Sequence, residues 1–149
     1  MPSESDLIKL YSGKILRMAA EPIYRERLSE PHASVTKRSP LCGSAITVDL
    51  NVESGVITHY GQEVRACALG QASSTIIGKA IVGRSLTEVQ RAYEELSDML
   101  KNEGPTPSKP FEELYMLKPA LEYKNRHASI LLALEATLAA FQQIEENDS

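Results

Sequence analysis

Two cysteines and a histidine are the residues of this sequence best suited to chemistry. Cys42 stands in the run SPLCGS at positions 39–44, directly ahead of Ile46, Val48, Leu50 and Val52, whose strict alternation reads as a strand. If the extended geometry reaches back along that strand, Cys42, Ser44, Ile46 and Val48 point to one side, so a thiol and a hydroxyl share one edge of the buried face. Cys67 ends a return strand and opens a helix, where unpaired backbone N–H groups and the helix dipole favour an anion; its thiol is expected to ionise readily, helped by Arg65. His127 lies in the first turn of the last helix, where the same positive end disfavours imidazolium and keeps the ring able to bind a metal. Each also has a plain structural role open to it: a buried cysteine is a small hydrophobe, and a histidine at a helix start is a core or capping residue.

Other chemistries lack a starting point. His32 sits beside Pro31 in a loop and His59 lies mid-strand among polar neighbours, and both are weaker candidates. A cysteine hydrolase needs a histidine and an orienting third residue, and Asn125 is too close in sequence to His127 to serve. The chain has no Gly-rich phosphate loop, HExxH or GxSxG motif, which leaves nucleotide and common hydrolase functions without a signature.

The elements that must position these residues follow from periodicity. Leu7, Leu10, Tyr11, Ile15 and Met18 fall at helical spacing over 6–18, closed by Pro22. A strand at 34–38, the alternating strand from Ile46, a Glu53-Ser54-Gly55 turn and a return run at 56–64 predict a three-stranded antiparallel sheet with one buried face. Small residues dominate 68–78 and predict a buried helix that approaches its neighbours closely. Ser85 with Glu88 has the form of a capping box and starts a helix ending near Lys101. Residues 102–110 hold three prolines and a glycine, which forbids regular structure and predicts a surface loop. After a short segment at 111–117, Asn125 can cap a final helix whose stripe is His127, Leu131, Leu134, Leu138 and Phe141.

The chain has 149 residues, a hydrophobic fraction of 42% and a charged fraction of 24%, the profile of one soluble domain spanning 1–149. Sixteen basic and twenty acidic residues give a net charge of -4 without a long basic run, which argues against nucleic acid as a partner. The polar, acidic start and the lack of a long apolar stretch predict neither export nor membrane spanning. Two cysteines without CxxC spacing fit a reducing, cytoplasmic location rather than a disulfide framework.

The SPLCGS run, the alternating hydrophobics, the turn at Gly55 and the run CALGQASS beginning at Cys67 together resemble the NifU/IscU/SufU family of iron–sulfur cluster assembly scaffolds, over residues 7–136. The family pattern is Pro-x-Cys-Gly-Asp, a second cysteine at the entrance of a small-residue helix and a third at the start of the last long helix. The spacing from Cys42 to Cys67 matches, and the long Pro-rich gap before His127 resembles the SufU branch. Two positions depart: Ser44 stands where the family has Asp, and the third cysteine falls at His127 in one register and Ala128 in the other. The chaperone motif of the IscU branch is absent, residues 117–122 reading LKPALE. The resemblance implies an α+β fold with an N-terminal helix, a three-stranded antiparallel sheet and packed helices ending in a long one. It implies a scaffold or carrier, not an enzyme, binding an iron–sulfur cluster of [2Fe-2S] type, iron or zinc through Cys42, Cys67 and His127. Ser44 would line that site as a poor ligand. The partners implied are a cysteine desulfurase and acceptor apoproteins. Two further readings are a zinc-dependent sulfur acceptor that stimulates a desulfurase, and a regulatory module that keeps the fold without transferring a cluster.

Overall fold

The computed structural model describes residues 13–20, 26–39 and 43–148. In chain order they form helix α1 (Gly13–Ala20), strands β1 (Ala33–Arg38), β2 (Ala45–Glu53) and β3 (Val56–Arg65), and helices α2 (Ala68–Ile81) and α3 (Leu86–Asn102). Two 3₁₀ segments (Glu112–Glu122 and Lys124–Arg126) then lead into helix α4 (His127–Asp148). This is the α+β order expected from the sequence. Of the first expected helix, positions 6–12 and the closing Pro22 lie outside the described residues.

The sheet is antiparallel with order β1-β2-β3. Ser54 and Gly55 both take positive φ, 55° and 77°, the geometry of the two-residue turn whose twist matches that of paired strands. Ile46, Val48 and Leu50 alternate along β2 and are buried, so they face the core. Helix α4 lies on that face and also packs against α2 and α3. The expected stripe on α4 is therefore too narrow: Ile130, Leu132, Ala133, Ala136, Thr137 and Ala140 are buried as well, while Leu138 is only partly so. With sheet on one side and helices on the other, this helix is the centre of the core rather than a surface element with one apolar face.

The capping box forms as expected: Glu88 N–H donates to Ser85 Oγ at 3.3 Å and Ser85 N–H to Glu88 Oε1 at 3.1 Å. The Pro-rich loop carries no helix or strand between Glu103 and Ser108. It is tied to α3 by Ser108, whose N–H and Oγ donate to the two oxygens of Glu95 at 3.1 and 2.8 Å. Beyond it the short segment expected at 111–117 continues as 3₁₀ structure to Glu122, with Pro119 inside. Phe111, Leu114, Leu117 and Ala120 are all buried, and their spacing of three matches the 3₁₀ repeat. Asn125 lies within the second 3₁₀ turn, not at a helix cap, because the chain enters α4 directly from that turn.

The outer face of the sheet is less open than the alternation implies. Asp49 is fully buried there beneath residues 26–28. Its carboxylate accepts from Arg27 Nε at 2.6 Å, Arg27 Nη2 at 3.1 Å, Ser34 Oγ at 2.7 Å and the Leu28 amide at 2.9 Å. Gly61, the register partner of Asp49, leaves room for this strap, since a Cβ there would meet the Glu26 carbonyl at 2.5 Å. Burial pushes the Asp49 carboxyl up, but the bonds from Arg27, Ser34 and Leu28 more than offset it and hold it below the usual carboxylate range. Asp49→Asn should therefore lower stability by about 3 kcal/mol near neutral pH. The folded-state pKa is depressed, so the stabilisation is complete above the ordinary carboxylate pKa and is lost as pH falls through the depressed one. Urea titrations should show the gap between wild type and variant closing in acid; a gap independent of pH would contradict this role.

Candidate functional site

The register pairs Arg38 with Ala45 and Ala45 with Arg65, so the end of β1, the start of β2 and the end of β3 lie together. Beyond Arg38, Ser39 N–H donates to Ser44 O at 2.8 Å and Gly43 N–H to Ser39 O at 3.0 Å, which closes the stem of the β1–β2 connection. Cys42 belongs to that connection and lies outside the described residues. At the end of β3 the chain passes through Ala66 into Cys67, the N-cap of α2.

Three elements meet at Cys67. Ser129 on α4 places its Oγ 3.7 Å from the Cys67 Sγ and 2.9 Å from Ser44 Oγ at the start of β2. Both serines are only 2% exposed, so their hydroxyls find partners within the protein rather than in water. Close contact between α2 and α4 makes this possible. A Cβ on Gly70 would collide with Ser129 Oγ and stand 2.8 Å from the Ala66 Cβ, and Ser73 Oγ donates to the Ile130 carbonyl at 2.7 Å. The small residues expected in α2 thus have a specific use: they let a serine of α4 reach the sulfur.

The electrostatics favour an anionic sulfur. Burial pushes the Cys67 thiol up, but the amides of Gly70 and Leu69 and the side chains of Arg126 and Ser129 outweigh it and hold the thiol below the ordinary value. The cation involved is Arg126 rather than the expected Arg65, which is exposed at the end of β3. Ser129 and Arg126 were not identifiable in advance, because both lie far from Cys67 in sequence and only the docking of α4 against α2 brings them there.

His127 is buried, and its Nε2 lies 2.8 Å from the Ala120 carbonyl oxygen. A ring nitrogen facing a carbonyl must carry the hydrogen, so in the neutral ring Nδ1 holds the lone pair. The residue borders a cleft of about 860 Å³ whose walls include Leu100, Glu103, Leu121, Lys124 and Glu135. Among the described residues, the hydrogen-bond contact to Cys67 from α4 comes from Ser129 and not from His127. The two weaker candidates have local partners. His32 Nδ1 accepts from the Val52 amide at 3.0 Å, and His59 Nδ1 lies 3.3 Å from Thr58 Oγ1 on an exposed strand position.

Residues 10–143 match the family model described as the NifU-like N terminal domain. The iron–sulfur cluster assembly scaffold protein IscU of Thermotoga maritima is 26% identical over 135 residues, covering 91% of this chain and 94% of that protein. The crystal structure of a nitrogen-fixing NifU-like protein (N-terminal) from Brucella abortus superposes with a TM-score of 0.91 at 39% identity, covering 95% of this chain and 98% of that one. FiSufU from Fervidobacterium islandicum AW-1 shares the fold, with a TM-score of 0.78 at 18% identity over 88% of this chain and 96% of that one. The chain belongs to the family of NifU-like N-terminal domains.

If the hydroxyl of Ser129 helps hold Cys67 as a thiolate, Ser129→Ala should shift the pH profile of Cys67 alkylation to higher pH. The rate at pH 7 should fall several-fold, since only the thiolate reacts. Mass-spectrometric mapping of iodoacetamide labelling separates Cys67 from Cys42. A profile identical to wild type would show that the serine does not act on the sulfur.

Proposed function

We propose that this protein is an iron–sulfur cluster assembly scaffold or carrier whose cargo is held by Cys42 and Cys67, with His127 contributing through Nδ1. The observation that carries this reading is the environment of Cys67. In a chain of this family, a half-buried thiol at a helix start is held toward the thiolate form by Arg126, Ser129 and two amides. Thiolates are the ligands of iron–sulfur clusters and suit zinc equally. The hydrogen bond from His127 to Ala120 supports the third assignment, because a ligating imidazole commonly donates its other N–H to a carbonyl, which fixes the tautomer and the ring orientation. Ser44 and Ser129 stay protonated near neutral pH and bond to each other, so their role is to support sulfur rather than to bind metal.

The same environment favours a second reading, a zinc-dependent acceptor of sulfur from a cysteine desulfurase. Arg126 and Ser129 stabilise negative charge on sulfur whether it belongs to a thiolate or to a persulfide, and Ser44 places a hydroxyl where the family pattern has a carboxylate. In both readings the partners are a protein that supplies sulfur and apoproteins that take the product.

Anaerobic incubation of the apoprotein with ferric iron and sulfide separates them. The scaffold reading predicts visible sulfur-to-iron charge-transfer absorption with protein-bound iron and sulfide, lost in Cys67→Ser and weakened in His127→Ala. Retention of zinc and of desulfurase-derived sulfur without that absorption would favour the acceptor reading, and failure to take up metal or sulfur in any form would contradict both.

A further inference from the structure

The end of the sheet beside Cys67 carries positive charge in a chain whose net charge is -4. Arg38, Ala45 and Arg65 are direct cross-strand neighbours and therefore share one face of the sheet. That is the outer face, since Ile46, next to Ala45 on β2, is buried in the core. Both arginines are exposed, with only the small side chain of Ala45 between them, so their Cα atoms stand about 10 Å apart across two strand spacings. Lys37 beside Arg38 is exposed as well, and Arg126 adds a cation near the Cys67 sulfur. The acid on the next row of this face, Glu63, is exposed and, among the described residues, forms no ion pair with either arginine. Among the described residues Arg38 and Arg65 enter no ion pair. An isolated cation at a strand end is ordinary surface, but two unpaired arginines facing one another across an alanine beside a reactive thiol form a directed positive field.

We infer that this face is the docking surface for an acidic, extended segment of the protein that exchanges cargo or sulfur at Cys67. This rests on the exchange function proposed above. A small anion finds no enclosure on an open sheet face, whereas carboxylates three residues apart on a chain extended as polyproline II fall on one side of it at a repeat of about 9 Å and meet both arginines at once. Like-charge repulsion between Arg38 and Arg65 is then relieved only when such a partner is present, and the field would steer its approach toward the thiol.

The test uses the full chain, poly-L-glutamate as the acidic probe, and neutral iodoacetamide with mass-spectrometric mapping as the reporter on Cys67. In low salt, poly-L-glutamate should slow Cys67 alkylation about tenfold, and raising ionic strength should restore the rate. In the double variant Arg38→Glu/Arg65→Glu the protection should disappear, in Arg38→Gln/Arg65→Gln it should be partial, and in Arg91→Glu, on the exposed side of α3, it should persist. Protection that survives the double reversal, binding that leaves Cys67 alkylation unchanged, or equal protection by free glutamate would each overturn the inference, the last by pointing to a small-anion site. Iron and sulfide uptake by the double variant keeps the two proposals apart. Normal uptake with lost protection supports the docking surface, whereas a wild type that binds the probe yet takes up neither metal nor sulfur leaves the surface and removes the cargo.

Discussion

The site depends on how closely α2 and α4 approach. Ser129 can touch Cys67 only because residue 70 has no side chain, and the bond from Ser73 to the Ile130 carbonyl fastens the two helices one turn further along. That contact also brings Ser44 into play, since its hydroxyl reaches Ser129 and thereby links the start of β2 to the sulfur. Sheet, helix N-terminus and core helix thus converge on one thiol, and the hydroxyl chain stays dry because both serines are buried. A larger residue at position 70 would move α4 away and take Ser129 and Arg126 with it, leaving Cys67 with only its helix amides.

The rest of the fold serves to keep that convergence fixed. Helix α4 is buried on nearly all sides, so its position is set by the sheet, α2 and α3 together and not by a single interface. The 3₁₀ segment between the Pro-rich loop and α4 anchors Phe111, Leu114, Leu117 and Ala120 in the core. In doing so it delivers the Ala120 carbonyl to His127, which fixes the ring's tautomer. On the opposite face, the strap over Asp49 covers the middle of the sheet and leaves its end, with Arg38 and Arg65, open.

Local signals were legible where the chain's own neighbours decide the outcome. The alternation of β2, the turn at Ser54-Gly55, the capping box at Ser85 and the breaking of structure by prolines in 102–110 all follow from short-range chemistry, and the structure shows each of them. The identity of the cysteine at a helix start was equally readable. What could not be read were contacts made between distant segments. Arg126 replaced Arg65 as the cation at the sulfur because strand alternation turns Arg65 outward, while α4 docking brings Arg126 in. Asn125 failed as a cap because the preceding turn is 3₁₀, and that turn owes its geometry to buried residues three apart, a spacing that helical and strand templates both overlook. Asp49, an acid on a strand face expected to be solvated, is buried because a segment some twenty residues earlier folds back over it.

Zinc substitutes for iron at thiolate sites without redox chemistry, so X-ray absorption at the zinc edge of the zinc-loaded protein tests most directly whether sulfur holds the cargo. A first shell with two sulfurs near ~2.3 Å and one imidazole nitrogen near ~2.1 Å is the result predicted for Cys42, Cys67 and His127. A shell made only of nitrogen and oxygen would place the metal away from both thiols and contradict the assignment of Cys67 as the centre of the site.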